Sequence, residues 1–455
     1  MSRQVIRGGR VIDPAQGIDG PRDVLVVDGM IEAIEAPGRL SAVEGAREID
    51  ASRRWIVPGL IDAHVHLRDP GFPAKETIAT GLTAAAAGGF TAVAAMANTS
   101  PVNDHPAITR YMLERAASVR GARLIPVGAV TRGLAGRETV DFDAMAAAGV
   151  RLFSDDGIPI DDPAILAIAL KETRRLGLAI SLHEEDRAIT GHGAVNEGEV
   201  SKLLGVCGAP VSAETARVRR DLEIARLSGG PVHIAHVSAA DSLDMIRAAR
   251  RAGIAVTCEV TPHHFALDDS TVLRFGTNAK MAPPLRSARD VEAVERAIAD
   301  GTIDMIATDH APHDPESKQI EQLRGFFDAG HAPANLPRHA AQAFEHAANG
   351  IVGIETSLGL AIGLIRRGII DARRMVELMS LNPARLLRMQ SGSLERRRPA
   401  DITIIDPEVE WTVTPEKFKS KSGNTPFIGM RLVGRAAMTI VGGEIVYDAS
   451  MEAGA

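Results

Sequence analysis

Five short stretches of this chain carry the side chains that metal and proton chemistry require. His64-Val-His66 closes an apolar run over residues 55–66. On an extended strand, residues i and i+2 point to one face, so both imidazoles would project together. Two neutral imidazoles at that spacing make half of a site for Zn²⁺ or a similar ion. The other candidates lie in Phe153-Ser-Asp155-Asp156-Gly, Ser181-Leu-His183-Glu-Glu, His233-Ile-Ala-His236 and Ala307-Thr-Asp309-His310-Ala-Pro-His313. Taken singly, a His or Asp at any of these places reads as an ordinary cap or loop residue. Together they recur at the ends of successive strand-like runs, and that recurrence is the signal.

Those runs come from an alternating middle section. Candidate strands begin near Trp55, Phe90, Arg123, Val150, Ala179, Pro231, Ala255 and Asp304, with helical patterns between them such as 106–118, 163–176, 214–227 and 242–252. Asp162 before Pro163 is a helix start: a side chain that accepts from the first turn, then a residue whose missing N–H is not needed there. About eight strand–helix units favour a (β/α)₈ TIM-type barrel, with an open doubly wound sheet as the competing arrangement. In a barrel, the C-terminal strand ends converge on one face, where catalytic groups sit. The chain's 455 residues exceed the ~250 of a typical barrel, so a further domain is expected. Both termini are strand-rich, and residues 1–53 with 396–455 are expected to form one small β-sandwich domain flanking a barrel over 54–395. One stretch, about 316–348, is too long for a simple connection and reads as an insertion, of the kind that serves as a lid or partner contact.

Bulk properties exclude several classes. A net charge of −7 gives no global attraction to nucleic acid or an anionic membrane. No apolar stretch reaches the ~18 residues of a span, and the first residues lack a signal-peptide core. The two cysteines, Cys207 and Cys258, cannot build a disulfide framework, which points to the cytoplasm. Neither has an evident base in sequence, so neither is expected to be a nucleophile. His263 and His264 are expected to be structural, and His310 to face away from Asp309.

The sequence His64-Val-His66-Leu-Arg68-Asp-Pro-Gly, with Lys75-Glu-Thr and Gly88-Gly-Phe-Thr after it, closely resembles the dihydroorotase signature of the amidohydrolase superfamily. Met96-Ala-Asn98-Thr, Phe153-Ser-Asp-Asp-Gly, His236-Val-Ser, Pro262-His-His, Lys280-Met-Ala-Pro-Pro-Leu-Arg, Ala307-Thr-Asp-His-Ala-Pro-His, Gly350-Ile-Val-Gly and Gly423-Asn-Thr-Pro-Phe continue it in order. The likeness covers essentially the whole chain.

The resemblance implies that His64, His66, His183 and His236 bind one or two zinc ions. It implies that Asp156 bridges them where other superfamily members use a carboxylated lysine. Asp309 would be metal ligand and general acid/base, while His66, Arg68, Asn98, His313 and the backbone at Gly350 would hold the substrate. The chemistry agrees: a metal ion lowers the pKa of bound water to about 7, and the resulting hydroxide attacks a ring amide. Arg68 supplies a planar fork for a carboxylate. The implied reaction is the reversible interconversion of L-dihydroorotate and N-carbamoyl-L-aspartate in pyrimidine synthesis. A homodimer, and association with aspartate transcarbamoylase, are the implied assemblies.

Three positions depart from the pattern. Ala97 stands in the usual MPNT, Ala282 in the usual NPPLR, and Ala348-Asn349 before Gly350 in the usual PFG. Ala282 removes a side chain able to donate to substrate, which keeps a second reading open: a hydantoinase, dihydropyrimidinase or allantoinase. A third reading, an inactive dihydroorotase-like subunit supporting the transcarbamoylase, conflicts with a complete ligand list.

Overall fold

The computed structural model describes residues 2–40, 45–327 and 334–451. Eight parallel strands pair in chain order: β1 Leu60–Val65, β2 Phe90–Ala95, β3 Arg123–Gly128, β4 Leu152–Phe153, β5 Ala179–Leu182, β6 Val232–Ile234, β7 Val256–Val260 and β8 Met305–Ile306. Their residues are almost all buried, as parallel strands covered on both faces must be. A helix follows each: Ile78–Ala87, Pro106–Ala117, Phe142–Ala148, Pro163–Leu176, Val211–Ser228, Ala240–Arg251, Ala288–Asp300 and Ser357–Arg366.

Side chains and backbone just beyond β8 close the cylinder. Thr308 donates its backbone N–H and its hydroxyl to Asp62 on β1, at 3.0 and 2.5 Å. His310 then forms a parallel bridge with Val65, and His66 donates its N–H to the His310 carbonyl at 2.8 Å. The alternation is therefore a barrel, and the open doubly wound sheet is set aside.

Local signals explain the boundaries. Asp162 caps its helix by accepting from Ala164 N at 2.8 Å, with Pro163 at the first helical position. The helix expected from residue 214 starts earlier, at Val211 behind Pro210, and Glu214 is buried within it. The run over 55–66 is not one strand. Trp55–Pro58 pairs antiparallel with Ile402–Ile405, and only Leu60–Val65 enters the barrel. Gly59 makes the break: a Cβ there would lie 2.2 Å from the Thr91 hydroxyl, so only glycine fits.

The strand-rich termini meet in one hydrogen-bonded sheet of eight strands. Arg3–Asp13, Ile18–Val27, Met30–Glu35, Arg47–Asp50 and Trp55–Pro58 come from the front, and Ile402–Thr412, Arg431–Val441 and Glu444–Asp448 from the back. It has its own apolar core, including Ile6, Val24, Ile31, Ile402 and Ile440. Between His313 and Gly350 the chain forms a turn-rich segment and the helix Arg338–His346. Residues 328–333 of the expected insertion lie outside the described residues, as do Met1, 41–44 and 452–455 of the expected terminal domain.

Candidate active site

Six side chains from five strand ends meet at the mouth of the barrel. His64 ends β1 and His66 follows it, while Asp156, His183, His236 and Asp309 lie just beyond β4, β5, β6 and β8. Five of them form two groups that share one residue: His64, His66 and Asp156 in one, Asp156, His183 and His236 in the other. Asp156 Oδ1 is 3.4 Å from His64 Nε2, 3.5 Å from His183 Nδ1 and 3.6 Å from His236 Nε2, and its Oδ2 is 3.4 Å from His66 Nε2. Asp309 Oδ1 stands 3.0 Å from His66 Nε2 and 3.6 Å from His64 Nε2.

These groups suit a cation. Donors ~2.1 Å from a tetrahedral ion lie about 3.4 Å from one another, which is the spacing seen around Asp156. His64 Nε2 and Asp156 Oδ1 are buried with no hydrogen-bond partner, an arrangement that would be costly if nothing else satisfied them. The electrostatics point the same way. Burial opposes a charge on His64, yet Asp156 and Glu259 lift its pKa well above the usual imidazole value. Burial likewise works against the Asp156 carboxylate, and His64, His183 and His236 nevertheless hold it well below the carboxylate range. The cluster calls for positive charge.

An outer set of groups orients these side chains. Glu259 on β7, 1% exposed, accepts from His64 Nδ1 at 2.7 Å and His233 Nε2 at 3.0 Å. The bond to Nδ1 leaves Nε2 of His64 facing Asp156. Asn98 Oδ1 sits 2.9 Å from His66 Nδ1 and orients that ring in the same way. Glu185 lies 3.4 Å from His183 Nε2, which turns Nδ1 inward. Sequence reasoning missed Glu259 and Glu185. Glu259 sits mid-strand in an apolar run, and that burial of a carboxylate was the only signal available. Arg68, His236 and Asp309 all hold positive φ, at 57°, 32° and 45°. Such backbone is uncommon for residues with a Cβ and gathers at functional sites.

A cavity of about 260 Å³ opens above the ligands, and Arg68, Asn98, His313, Asn349 and Gly350 line it with His66 and Asp309. Every residue expected at the site lines this cavity except His64, which is fully buried beside Asp156 and Asp309. Arg68 donates through Nε to the Pro312 carbonyl at 3.3 Å, and its Nη2 is 3.2 Å from His313 Nε2. Burial, then the charges of Arg68, Lys318 and Lys75, lower the His313 pKa to about 2, so its ring is neutral. Asn424, from the late Gly-Asn-Thr-Pro-Phe stretch, accepts from His313 N at 3.0 Å and donates to the Gly350 carbonyl at 3.1 Å. Gly350 has φ +119°, and a Cβ there would lie 2.5 Å from that of Ala311. Among the described residues, neither of the two groups that could hold a cation includes His263 or His264. His264 is held between the Thr261 hydroxyl and the Pro283 carbonyl, at 2.7 and 3.1 Å. His310 turns away from Asp309 toward Glu76 and Gly353 N.

A closed (β/α)₈ barrel with a His/Asp metal cluster at its C-terminal mouth defines the class: a metal-dependent hydrolase of the amidohydrolase type. A family model described as dihydro-orotase-like matches residues 53–242. Dihydroorotases of Anaeromyxobacter dehalogenans and Citrifermentans bemidjiense are 47% and 46% identical to the chain. The alignments cover 97% of both chains in the first case, and 98% of this chain and 99% of the relative in the second. Among solved structures, the L-hydantoinase (dihydropyrimidinase) of Arthrobacter aurescens superposes with a TM-score of 0.85 at 25% identity, covering 98% of this chain and 96% of that one. The chain belongs to the dihydroorotase family. Among the described residues, no helix is long and apolar enough to cross a membrane.

Proposed function

We propose that the chain catalyses the reversible hydrolysis of L-dihydroorotate to N-carbamoyl-L-aspartate in pyrimidine synthesis, with zinc as its metal. One observation carries the reading: an arginine fork and a metal-ligand cluster share a single small cavity, so one substrate can present a carboxylate to the first and an amide to the second.

His64, His66 and Asp156 would hold one ion, and Asp156, His183 and His236 a second. When bound, such an ion supplies Lewis acidity to the amide and makes water acidic near neutral pH. The remaining work falls to the protein. Arg68 pairs with the ring carboxylate through two parallel N–H bonds, and Asn98, His313 and the packing edge of the Gly350 backbone confine the ring over the cluster. Burial alone would protonate Asp309, but His66, His64 and His236 hold it well below the usual carboxylate range, so it meets the substrate as a proton acceptor. As the water oxygen bonds to the amide carbon, Asp309 takes the water's proton. The carbon–nitrogen bond breaks, and the same proton passes from Asp309 to the departing ring nitrogen, which becomes the ureido NH₂.

The test is turnover of L-dihydroorotate by zinc-loaded protein, with Asp309→Ala alongside. Wild type should turn over, and the variant should lose at least about 10²-fold in kcat with its cavity intact. A wild type that holds zinc and leaves dihydroorotate unchanged would sink the reading. Ala282, which lines the cavity, favours one alternative, a hydantoinase-like or allantoinase-like specificity. The same assay on hydantoin, dihydrouracil and allantoin separates the two. Sedimentation, alone and with aspartate transcarbamoylase, tests the expected homodimer and that association. The two free thiols, Cys207 and Cys258, support placement in a reducing cytoplasm.

A further inference from the structure

We infer that Lys318 is a positioning residue for substrate recognition: its ammonium ties together the backbone segments that carry the Asn349 and Gly350 wall of the cavity. The inference rests on the function proposed above. Lys318 lies five residues past His313, inside the stretch read from sequence as an insertion, and its side chain is fully buried. Its Nζ donates to the carbonyls of Lys280 at 3.1 Å, Ala348 at 2.8 Å and Gly350 at 3.0 Å. An ammonium has three N–H donors and a neutral amine two, so three carbonyls select the charged form. Burial, and after it the charge of neighbouring Lys280, work against that charge and pull the pKa well down. A buried cation held by backbone carbonyls alone is an expensive way to fasten a loop.

What it fastens is the wall of the site. Gly350 N donates to the Lys280 carbonyl and Ala348 N to that of Ser317, at 3.0 and 2.8 Å. The Thr277 hydroxyl donates to the Lys318 carbonyl at 2.7 Å. Two of the three ammonium bonds therefore fall on either side of Asn349, whose own carbonyl is 2.9 Å from His313 Nε2. The Asn349 and Gly350 edge, and His313 bonded to the Asn349 carbonyl, take their places from this strut. The positive charge also stands close enough to His313 to oppose its protonation. No metal ligand bonds to Lys318 or to the carbonyls it holds, so its removal should act on binding rather than on the metal.

The experiment compares wild type, Lys318→Met and Lys318→Gln as zinc-loaded enzymes, measuring kcat, KM for L-dihydroorotate and zinc content. Lys318→Met should raise KM at least about tenfold, with kcat within about threefold and zinc unchanged. Lys318→Gln, which keeps two N–H donors without the charge, should fall between Met and wild type, and it carries the test if the Met variant does not accumulate. Unchanged KM in either soluble variant overturns the inference, as does a loss confined to kcat or accompanied by lost zinc. A wild type inactive on dihydroorotate fails the proposed function instead, before any variant is compared.

Discussion

A single carboxylate, Glu259, accepts from two imidazoles, His64 at 2.7 Å and His233 at 3.0 Å, in the barrel interior. Burial would raise its pKa, but the two histidines bring it down to about 2, so it is ionised throughout the physiological range. An anion there makes Nδ1 of His64 the donor and leaves Nε2 as the lone pair for a metal. Glu259→Gln is expected to weaken zinc binding by about 10- to 100-fold, the usual loss when such a partner is removed. Competition with a chelator measures it, and an unchanged affinity would mean that Asp156 and Asp309 alone orient the ring. The cysteines provide a second residue-level check. Cys258 is buried, and burial with Asp304 nearby raises its pKa to about 12, whereas Cys207 is exposed. A thiol reagent near neutral pH should titrate one fast group in the native protein and two after denaturation; two fast groups would contradict the packing around β7.

Among the elements, the seam between β1 and the segment after β8 is the weak point of any barrel, because it joins strands far apart in sequence. Here Asp62 accepts two bonds from Thr308, and the Thr308 hydroxyl in turn accepts from His310 N at 3.0 Å. Asp309 lies between those two residues, so the seam and the proposed acid/base share one backbone stretch. Thr308→Val removes a buried donor to a carboxylate and should cost about 1–3 kcal/mol. A lower urea midpoint, with activity reduced more than a surface substitution would reduce it, is the expected result. An unshifted midpoint would show that the backbone bridges alone close the barrel. The strand and helix pattern itself was readable, since buried parallel strands are apolar runs and Asp162-Pro163 is a local start signal. The split of 55–66 at Gly59 was not readable. Nothing local distinguishes a strand that pairs with residues 402–405 from one that enters the barrel, because partner choice is a long-range event.

At the level of the whole molecule, a ligand that binds only the folded state stabilises it in proportion to its occupancy. The His/Asp cluster is assembled from residues between 64 and 309, which the unfolded chain cannot hold together. Chelated protein should therefore melt lower than zinc-loaded protein, by about 2.7 kcal/mol where free zinc is a hundred times its Kd. Calorimetry with and without chelator checks this, and coincident transitions would place no cation in the cluster. The sequence by itself pointed to the reaction class, because the family resemblance is carried by particular residue types in a fixed order. His64, His66, Asp156, His183, His236, Asp309 and Arg68 all stood out at the expected strand ends. It also determined the alternating architecture, because hydrophobic period and helix caps are local properties. Only the tertiary structure decided that Asp156 is shared by two ligand groups, that Glu259 and Asn98 aim the imidazoles, and that Lys318 and Asn424 hold the cavity wall. Each of these is a contact between residues tens to hundreds of positions apart, and its existence depends on packing distances that no local pattern encodes.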